Sequence, residues 1–329
     1  MTSGLKILLT TYSTAYSTSG GGEVEIIRTA EMLRGAGALV DIYGPASRPL
    51  IFYDFIIHFS VEASGAPLFF AAKEAGKKIF IYPNVWWFEA PSPVEIERVK
   101  ALVLAADKVI FKSRAELQNF SRYISLPHDR IVVSRLPISP SFSQEIDAQL
   151  AMAYTDKLGY VLCIGLLEPI KNQLELIRAL NSLSMDGVFI GGTRDEAYAR
   201  QCKLEAHHGI KFLPFISPSS SLLRSIIGGA AVLVEPSFDP PGRSVLEGAI
   251  LKRPVVIGAS EWQEEYFSKH CWIVSPDSSA DIAKGVMAAL NDSDRSIKIK
   301  KAYECFLSNN LDHLVGSVLI NSILGCDDQ

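Results

Sequence analysis

The sequence predicts an α/β protein made of two Rossmann-like, doubly wound domains facing a cleft. Three observations carry this expectation. The chain has 329 residues, which at roughly 100–200 residues per domain suggests two domains of similar size. It is 48% hydrophobic and 21% charged, too apolar for a chain that stays disordered. Short apolar runs alternate with helical patterns, and that alternation occurs twice. Strands alternating with helices imply a parallel sheet covered on both faces.

Composition also excludes several functions. Gly at 23 and Pro at 17 are near average, which removes collagen-like and low-complexity readings. The net charge of −4, from 32 Lys+Arg against 36 Asp+Glu, supplies no broad cationic field for nucleic acid. Any anionic ligand must therefore be held by a few placed groups. The five cysteines (163, 202, 271, 305 and 326) include no C-x-x-C pair, neither a disulfide framework nor a zinc site, and suit a reducing compartment. No segment reaches the ~18 uninterrupted apolar residues of a spanning helix. The start, Met1-Thr2-Ser3-Gly4-Leu5-Lys6, has no basic region or cleavage site, so a cytoplasmic protein is expected.

Taken in order, Ile7-Leu8-Leu9 is a buried-strand candidate, followed by a polar, Gly-rich stretch to Gly22. Glu23 to Arg34 places Val24, Ile27, Ala30 and Leu33 at helical spacing and stops at Gly35-Ala36-Gly37. Strands are expected at 40–43, 55–58, 78–82, 108–111 and 130–134, and helices at 67–75, 93–106 and 113–122. Pro137, Pro140 and several serines mark a linker between Leu136 and Thr155. The second series runs strand 160–164, helix 173–183, strand 187–190, helix 195–207 and strand 210–212. Helix 220–228, strand 231–234, helix 244–251, strand 254–257 and helix 279–291 continue it. The domains expected are 1–148 and 149–329, with a last helix at about 297–324 as a candidate to pack back onto the first. In open α/β sheets ligands sit beyond the carboxyl ends of the strands, so two such edges suit an enzyme joining two substrates.

Two segments could carry chemistry. In Glu235-Pro236-Ser237-Phe238-Asp239-Pro240-Pro241-Gly242-Arg243-Ser244-Val245-Leu246-Glu247-Gly248-Ala249, a strand turns through Pro and Gly into a helix. The amides around Gly242–Ser244 and the helix start form an anion site. Glu247 is then free for ribose hydroxyls and Asp239 for the other hydroxyl-bearing end of the ligand. An ordinary strand–turn–helix with Ser244 as cap and solvated acids fits the same spacing equally well. In Ile164-Gly165-Leu166-Leu167-Glu168-Pro169-Ile170-Lys171-Asn172-Gln173, Lys171 is a flexible cation within reach of a diphosphate at the strand ends. A surface lysine on a helix's first turn is the plainer reading.

Together these segments resemble the glycosyltransferase family 4 members of the GT-B fold. That family's donor domain opens with a Gly-Arg-Leu-x-x-x-Lys-like segment and later carries Glu-x7-Glu followed by Leu-Glu-Ala-x-Ala-x-Gly-x-Pro-Val-Val. Here the second stretch reads Asp239-x7-Glu247 and then runs from Gly248-Ala249 to Pro254-Val255-Val256. The likeness extends upstream to Lys211–Ile216, where members hold the base and Phe215 is the candidate. It reaches downstream to Trp272–Asp277, so it covers about residues 158–292. The first half is fainter: Gly20-Gly21-Gly22-Glu23 is similar to the Gly-Gly loop of the acceptor domain. Asp54–His58 and Ala106–Ser113 are similar to two of its strands. A nicotinamide-dependent dehydrogenase fits less well, because its glycine fingerprint follows the first strand directly, whereas ten residues separate Leu9 from Gly20.

Three positions depart from the family. Leu166 stands where the family has Arg, and Arg243 is the candidate replacement, since a guanidinium pairs with phosphate bidentately. Asp239 replaces the first Glu. Pro83-Asn84-Val85-Trp86-Trp87-Phe88 replaces a segment with histidine, and Asn84 can hydrogen-bond a hydroxyl but cannot act as a base. Trp86 and Trp87 suit an acceptor groove, although such aromatics more often pack in a core. His58 reads as a buried strand-end residue and His207-His208 as a helix C-terminus. No His, Asp and Glu grouping has metal-ligand spacing.

The resemblance implies a metal-independent, retaining hexosyltransferase with no cofactor. It would use a nucleotide-diphosphate sugar, UDP before GDP, and a glycan or lipid-linked hydroxyl acceptor in polysaccharide or glycolipid assembly. Lys171, Asp239 and Arg243 are the expected catalytic residues. Gly21, Gly22, Gly165, Phe215, Gly242, Ser244, Val245 and Glu247 would bind the donor, and Asn84, Trp86 and Trp87 the acceptor. The expected location is cytoplasmic, with peripheral association at the inner face of the membrane left open. A non-catalytic sugar-nucleotide-binding scaffold and a nucleotide-sugar epimerase are the alternatives. The epimerase needs charged groups converging in the first half, where the sequence offers few.

Overall fold

In the computed structural model, residues 4–17, 20–240, 242–267 and 270–325 are described. Met1–Ser3, Pro241 of the loop motif, part of the first polar stretch and Cys326 lie outside them. The chain divides into two compact units, Met1–Pro137 with Asn310–Gln329, and Ile138–Asn309. The division falls at Pro137/Ile138 where 148/149 was expected.

The first unit runs β1 (Lys6–Thr10), α1 (Gly21–Gly35), β2 (Leu39–Ile42), β3 (Phe55–Phe59), α2 (Ala66–Glu74), β4 (Lys78–Tyr82), α3 (Pro93–Ala105), β5 (Lys108–Phe111), α4 (Arg114–Ser121) and β6 (Ile131–Val133). Its six strands are all parallel, in the order β2-β1-β3-β4-β5-β6. Alternate residues of β1, β3, β4 and β5 enter different cores, as the two-residue strand period requires. Ile7, Leu9, Ile57 and Phe59 pack with Ile26, Ala30 and Leu33 of α1. Leu8, Ile56, Ile79 and Ile81 pack on the other face with Phe69, Val99, Leu102 and Phe120. The inward stripe of α1 differs from the expected one at Ile27, which is exposed while Ile26 is buried.

The second unit runs α5 (Ala148–Thr155), β7 (Val161–Ile164), α6 (Gln173–Leu183), β8 (Gly187–Ile190), α7 (Glu196–Glu205), β9 (Ile210–Leu213), α8 (Ser221–Gly229), β10 (Val232–Glu235) and α9 (Arg243–Ile250). It continues with β11 (Val255–Gly258), α10 (Gln263–Tyr266), β12 (Trp272–Val274), α11 (Ser279–Asn291) and α12 (Arg295–Asn309). Its parallel strands lie in the order β12-β11-β10-β7-β8-β9. Val161, Cys163, Phe189, Val232, Val234 and Val256 meet Leu176, Ile177 and Leu180 of α6 and Ile282 and Val286 of α11.

Two expectations fail here for local reasons. The stretch expected to be a linker contains α5, because Asp147 caps it, its Oδ1 accepting from Gln149 N at 2.9 Å and Leu150 N at 3.0 Å. The segment packs on α8, where a Cβ at Gly228 would lie 2.7 Å from Ile146 side-chain atoms. The single helix expected at 297–324 is two, α12 and α13 (Asp312–Leu324). Between them, buried Asn310 donates its side-chain amide to the Leu136 carbonyl at 3.0 Å. Only α13 joins the first unit, where Arg28 holds Asp312 at 2.7 Å. Among the described residues no helix is long and apolar enough to cross a membrane.

Candidate active site

In the second sheet the chain leaves β7 for β8 and β9 on one side, then crosses back to β10 on the other. The topological switch point therefore lies between β7 and β10, where ligands of open α/β sheets bind. The loops after these two strands carry Lys171 and Asp239. Lys171 Nζ lies 2.9 Å from Asp239 Oδ2, and both side chains are partly buried. The structure thus brings together two of the three expected catalytic residues, but as partners of each other.

Backbone stitching fixes this pairing. The Ile170 carbonyl accepts from Phe238 N at 3.0 Å and from Ser237 Oγ at 3.2 Å. Asn172, in the left-handed region at φ 58, donates its amide to the Pro236 carbonyl at 3.0 Å and the Pro276 carbonyl at 2.6 Å. Asp239 N in turn donates to Ser237 Oγ at 3.1 Å. One buried asparagine and one carbonyl thereby tie the loop after β7 to the loops after β10 and β12.

The start of α9 holds a residue that sequence reasoning missed as a site group. Gly242 is the helix N-cap and, having no side chain, supplies no cap of its own. Glu235, the last residue of β10, fills that role. Its Oε1 accepts from Gly242 N at 2.9 Å and its Oε2 from Ser244 Oγ at 3.1 Å. Ser244 is therefore a donor to a carboxylate and not the expected cap. The signal was present: Glu235 ends an otherwise apolar strand, Val232-Leu233-Val234. A charge at the carboxyl end of such a run faces the site edge.

Electrostatics follow from this crowding. Burial alone would lower the Lys171 ammonium, but the carboxylates of Glu235, Asp239 and Glu168 raise it, so it keeps its charge. Burial pushes Glu235 above the usual carboxylate range, against the pull of Lys171, the Gly242 amide and the Ser244 hydroxyl. Beside the position where Arg was missing, Arg194 reaches the Glu168 carboxylate at 3.2 Å.

The other expected donor residues divide into open and buried groups. Gly165 sits against Lys171, whose side chain would be an ordinary 3.8 Å from an added Cβ. Phe215 is exposed after β9. Arg243 opens α9. Glu247 is buried on α9, contrary to the solvated-acid reading. The Val245 side chain is fully buried, which corrects its donor-binding assignment to its first-turn amide alone. A surface hollow of about 650 Å³ beside β12, lined in part by His270, Trp272, Lys298 and Lys301, involves none of these residues.

In the first unit, Gly21 and Gly22 open α1 and are exposed, with nothing within 4 Å of an added Cβ. Asn84 follows β4 in the left-handed region at φ 52 and donates to Glu25 Oε2 at 3.4 Å. Lys112 lies 3.5 Å from the same Glu25 carboxylate, and Glu116 Oε2 accepts from Lys112 N at 2.5 Å. Charged groups thus do converge at this sheet edge, which the sequence reading did not anticipate. Trp87 corrects the acceptor assignment: it is buried, stacks on Phe120 at 5.4 Å and donates Nε1–H to Glu95 at 2.9 Å. Trp86 is half-buried. His58 is buried as expected, its Nδ1 2.8 Å from Thr10 Oγ1, and burial lowers it to about 4. Among the described residues no group of three or more His, Cys, Asp or Glu side chains is placed to hold a metal ion.

With this geometry in place, comparison with known proteins gives three results. The family model for glycosyl transferases group 1 matches residues 149–304. Curated protein sequences give no match. Several solved structures share the architecture. Sucrose-phosphate synthase from Thermosynechococcus elongatus has a TM-score of 0.80 at 15% identity, over 98% of this chain and 100% of that one. HepE from Anabaena in complex with UDP and glucose has 0.77 at 16% identity, over 98% and 100%. A UDP-forming α,α-trehalose-phosphate synthase from Burkholderia xenovorans has 0.64 at 16% identity, over 93% and 79%. At these identities the likeness establishes the fold. The match across the second unit and the two doubly wound sheets together support a glycosyltransferase of the GT-B fold.

Proposed function

We propose that the chain is a retaining glycosyltransferase that moves a hexosyl unit from a UDP-sugar to a hydroxyl acceptor in polysaccharide or glycolipid assembly. The observation that carries this reading is the Lys171–Asp239 pair, 2.9 Å apart at the switch point of the second sheet. A diphosphate entering there competes with Asp239 for the ammonium. Once Lys171 turns to the β-phosphate, the Asp239 carboxylate is released to accept from hydroxyls of the transferred sugar. Cleavage of the sugar bond places charge on the β-phosphate. Lys171, Arg243 and the first-turn amides of α9 are assigned to stabilise it, with no metal required.

The remaining assignments follow the chemistry of each group. Glu247 takes the ribose hydroxyls, Phe215 stacks on the base, and Gly165 admits close approach of the backbone. In the first unit Gly21, Gly22, Asn84 and Trp86 are assigned to the sugar and acceptor. UDP is favoured as carrier because structurally similar HepE is complexed with UDP and glucose. A cytoplasmic enzyme at the inner membrane face would meet both a soluble donor and a lipid-linked acceptor.

Incubating the protein with UDP- and GDP-sugars and following free nucleotide tests this reading. Release of UDP is expected. A new sugar nucleotide would indicate an epimerase, and no turnover a scaffold. Asp239→Ala is expected to lower kcat by about tenfold or more, the size of one lost charge-assisted hydrogen bond. UDP affinity should hold or rise, because Lys171 is freed. Calorimetry showing UDP affinity lost in parallel would contradict the sugar-side role of Asp239.

A further inference from the structure

We propose that Glu235 stands in the place of the donor phosphate in the ligand-free protein and takes up one proton from solvent when a nucleoside diphosphate binds. The inference rests on the donor-site reading above and deepens it. Glu235 is only 5% exposed, and its two oxygens occupy the Gly242 amide and the Ser244 hydroxyl at 2.9 and 3.1 Å. These are groups that the start of α9 would otherwise offer to an anion. Lys171, the cation acting on Glu235, is already paired with Asp239.

The ligand-free site is therefore electrostatically filled. Of the charges acting on Glu235, Lys171 is the cation and Asp239 a second carboxylate. Glu168 from the loop after β7 adds another carboxylate beside Lys171. The Cys163 thiol of β7, which burial pushes up, stays neutral beneath them. A diphosphate cannot share the first turn of α9 with an ionised Glu235 without strong like-charge repulsion in a poorly solvated space. Protonation resolves the conflict. The neutral acid offers an O–H to a phosphate oxygen, while its carbonyl oxygen keeps the Gly242 amide. Burial already holds this carboxyl above the usual range, which brings the protonated form within reach.

The sign of the pH dependence follows. Under this proposal Glu235, whose oxygens accept from the Gly242 amide and the Ser244 hydroxyl, is ionised in the free protein and protonated in the complex. Binding then consumes a proton, and affinity falls as pH rises, by up to about tenfold per pH unit. Between pH 7 and 9 the nucleotide's terminal phosphate, with its second ionisation at about 6, is about nine-tenths charged or more and contributes little. Lys171 keeps its proton throughout, since its surrounding carboxylates raise it.

Titration calorimetry of UDP, repeated in buffers of different ionisation enthalpy, measures the protons taken up. Uptake approaching one proton per UDP is expected for the wild type at pH 7, with affinity falling from pH 7 to 9. Glu235→Gln, which mimics the protonated acid, is expected to take up none and to hold its affinity across that range. UDP binding with no uptake, or equal uptake in the variant, would overturn the inference and leave the donor site standing. Should the variant fold poorly, a protonated-carboxyl band appearing on UDP binding in the wild-type infrared difference spectrum decides the matter, and its absence counts against the proposal. Failure of the wild type to bind either UDP or GDP would overturn the donor site and this inference together.

Discussion

Lys171→Ala is expected to lower kcat/KM for sugar transfer by on the order of 100-fold, the typical cost of removing one preorganised charge-stabilising donor. The ammonium reaches the switch point from a single helical turn, Pro169–Lys171. That turn is fixed by Asn172 and by the Ile170 carbonyl. Its position does not depend on the ion pair, so the variant should fold with its loops in place. Its thermal midpoint should stay near that of the wild type, because a partly exposed ion pair contributes only about 0–1 kcal/mol. Lys171→Arg keeps the charge but changes its shape and reach, and intermediate activity is expected. Steady-state kinetics with a UDP-sugar checks the series. Wild-type rates in Lys171→Ala would remove the diphosphate assignment.

Gly191→Ala is expected to damage both stability and activity. A Cβ at Gly191 would stand 1.9 Å from the Gly165 carbonyl oxygen and 2.7 Å from its carbon. Both are backbone atoms, so no flexible side chain can move aside. Relief requires the loop after β7 to shift away from β8, against the bond from Gly165 N to the Ile190 carbonyl at 2.9 Å. Overpacking of this kind costs about 1–3 kcal/mol, and here the displaced loop is the one that delivers Lys171. Thermal unfolding should show a midpoint lower by several degrees, with transfer falling in parallel. Gly21→Ala is the control: nothing lies within 4 Å of the added methyl, so the midpoint should hardly move. Unchanged stability in Gly191→Ala would show that this close approach is not required.

Much of the fold was legible because parallel strands buried on both faces read as plain apolar runs. The strand at 187–190 and the helices at 173–183 and 279–291 have the expected bounds. The α5 helix was hidden by the prolines and serines before it, and only its Asp147 cap signals its start. The break between α12 and α13 depends on Asn310 finding the Leu136 carbonyl, a partner far away in sequence. In the candidate site, loop position alone left Lys171 as a surface lysine and Asp239 open between a solvated acid and a ligand group, and the family resemblance singled both out. Their direct pairing was legible from neither, because it depends on which strands are neighbours. Glu235 was hidden because the Gly-rich start of α9 reads as a site for an external anion, and only the fold brings the end of β10 back to fill it. The same dependence on packing separates Trp87, buried against Phe120, from the half-buried Trp86 beside it.

Where a nucleoside diphosphate settles decides the role of Lys171 and Asp239. A crystal structure of the protein soaked with UDP tests this most directly. The expected result places the β-phosphate within hydrogen-bond distance of Lys171 Nζ and the first-turn amides of α9, with the Lys171–Asp239 contact opened. A diphosphate bound elsewhere on the second unit, with Lys171 still on Asp239, would contradict it.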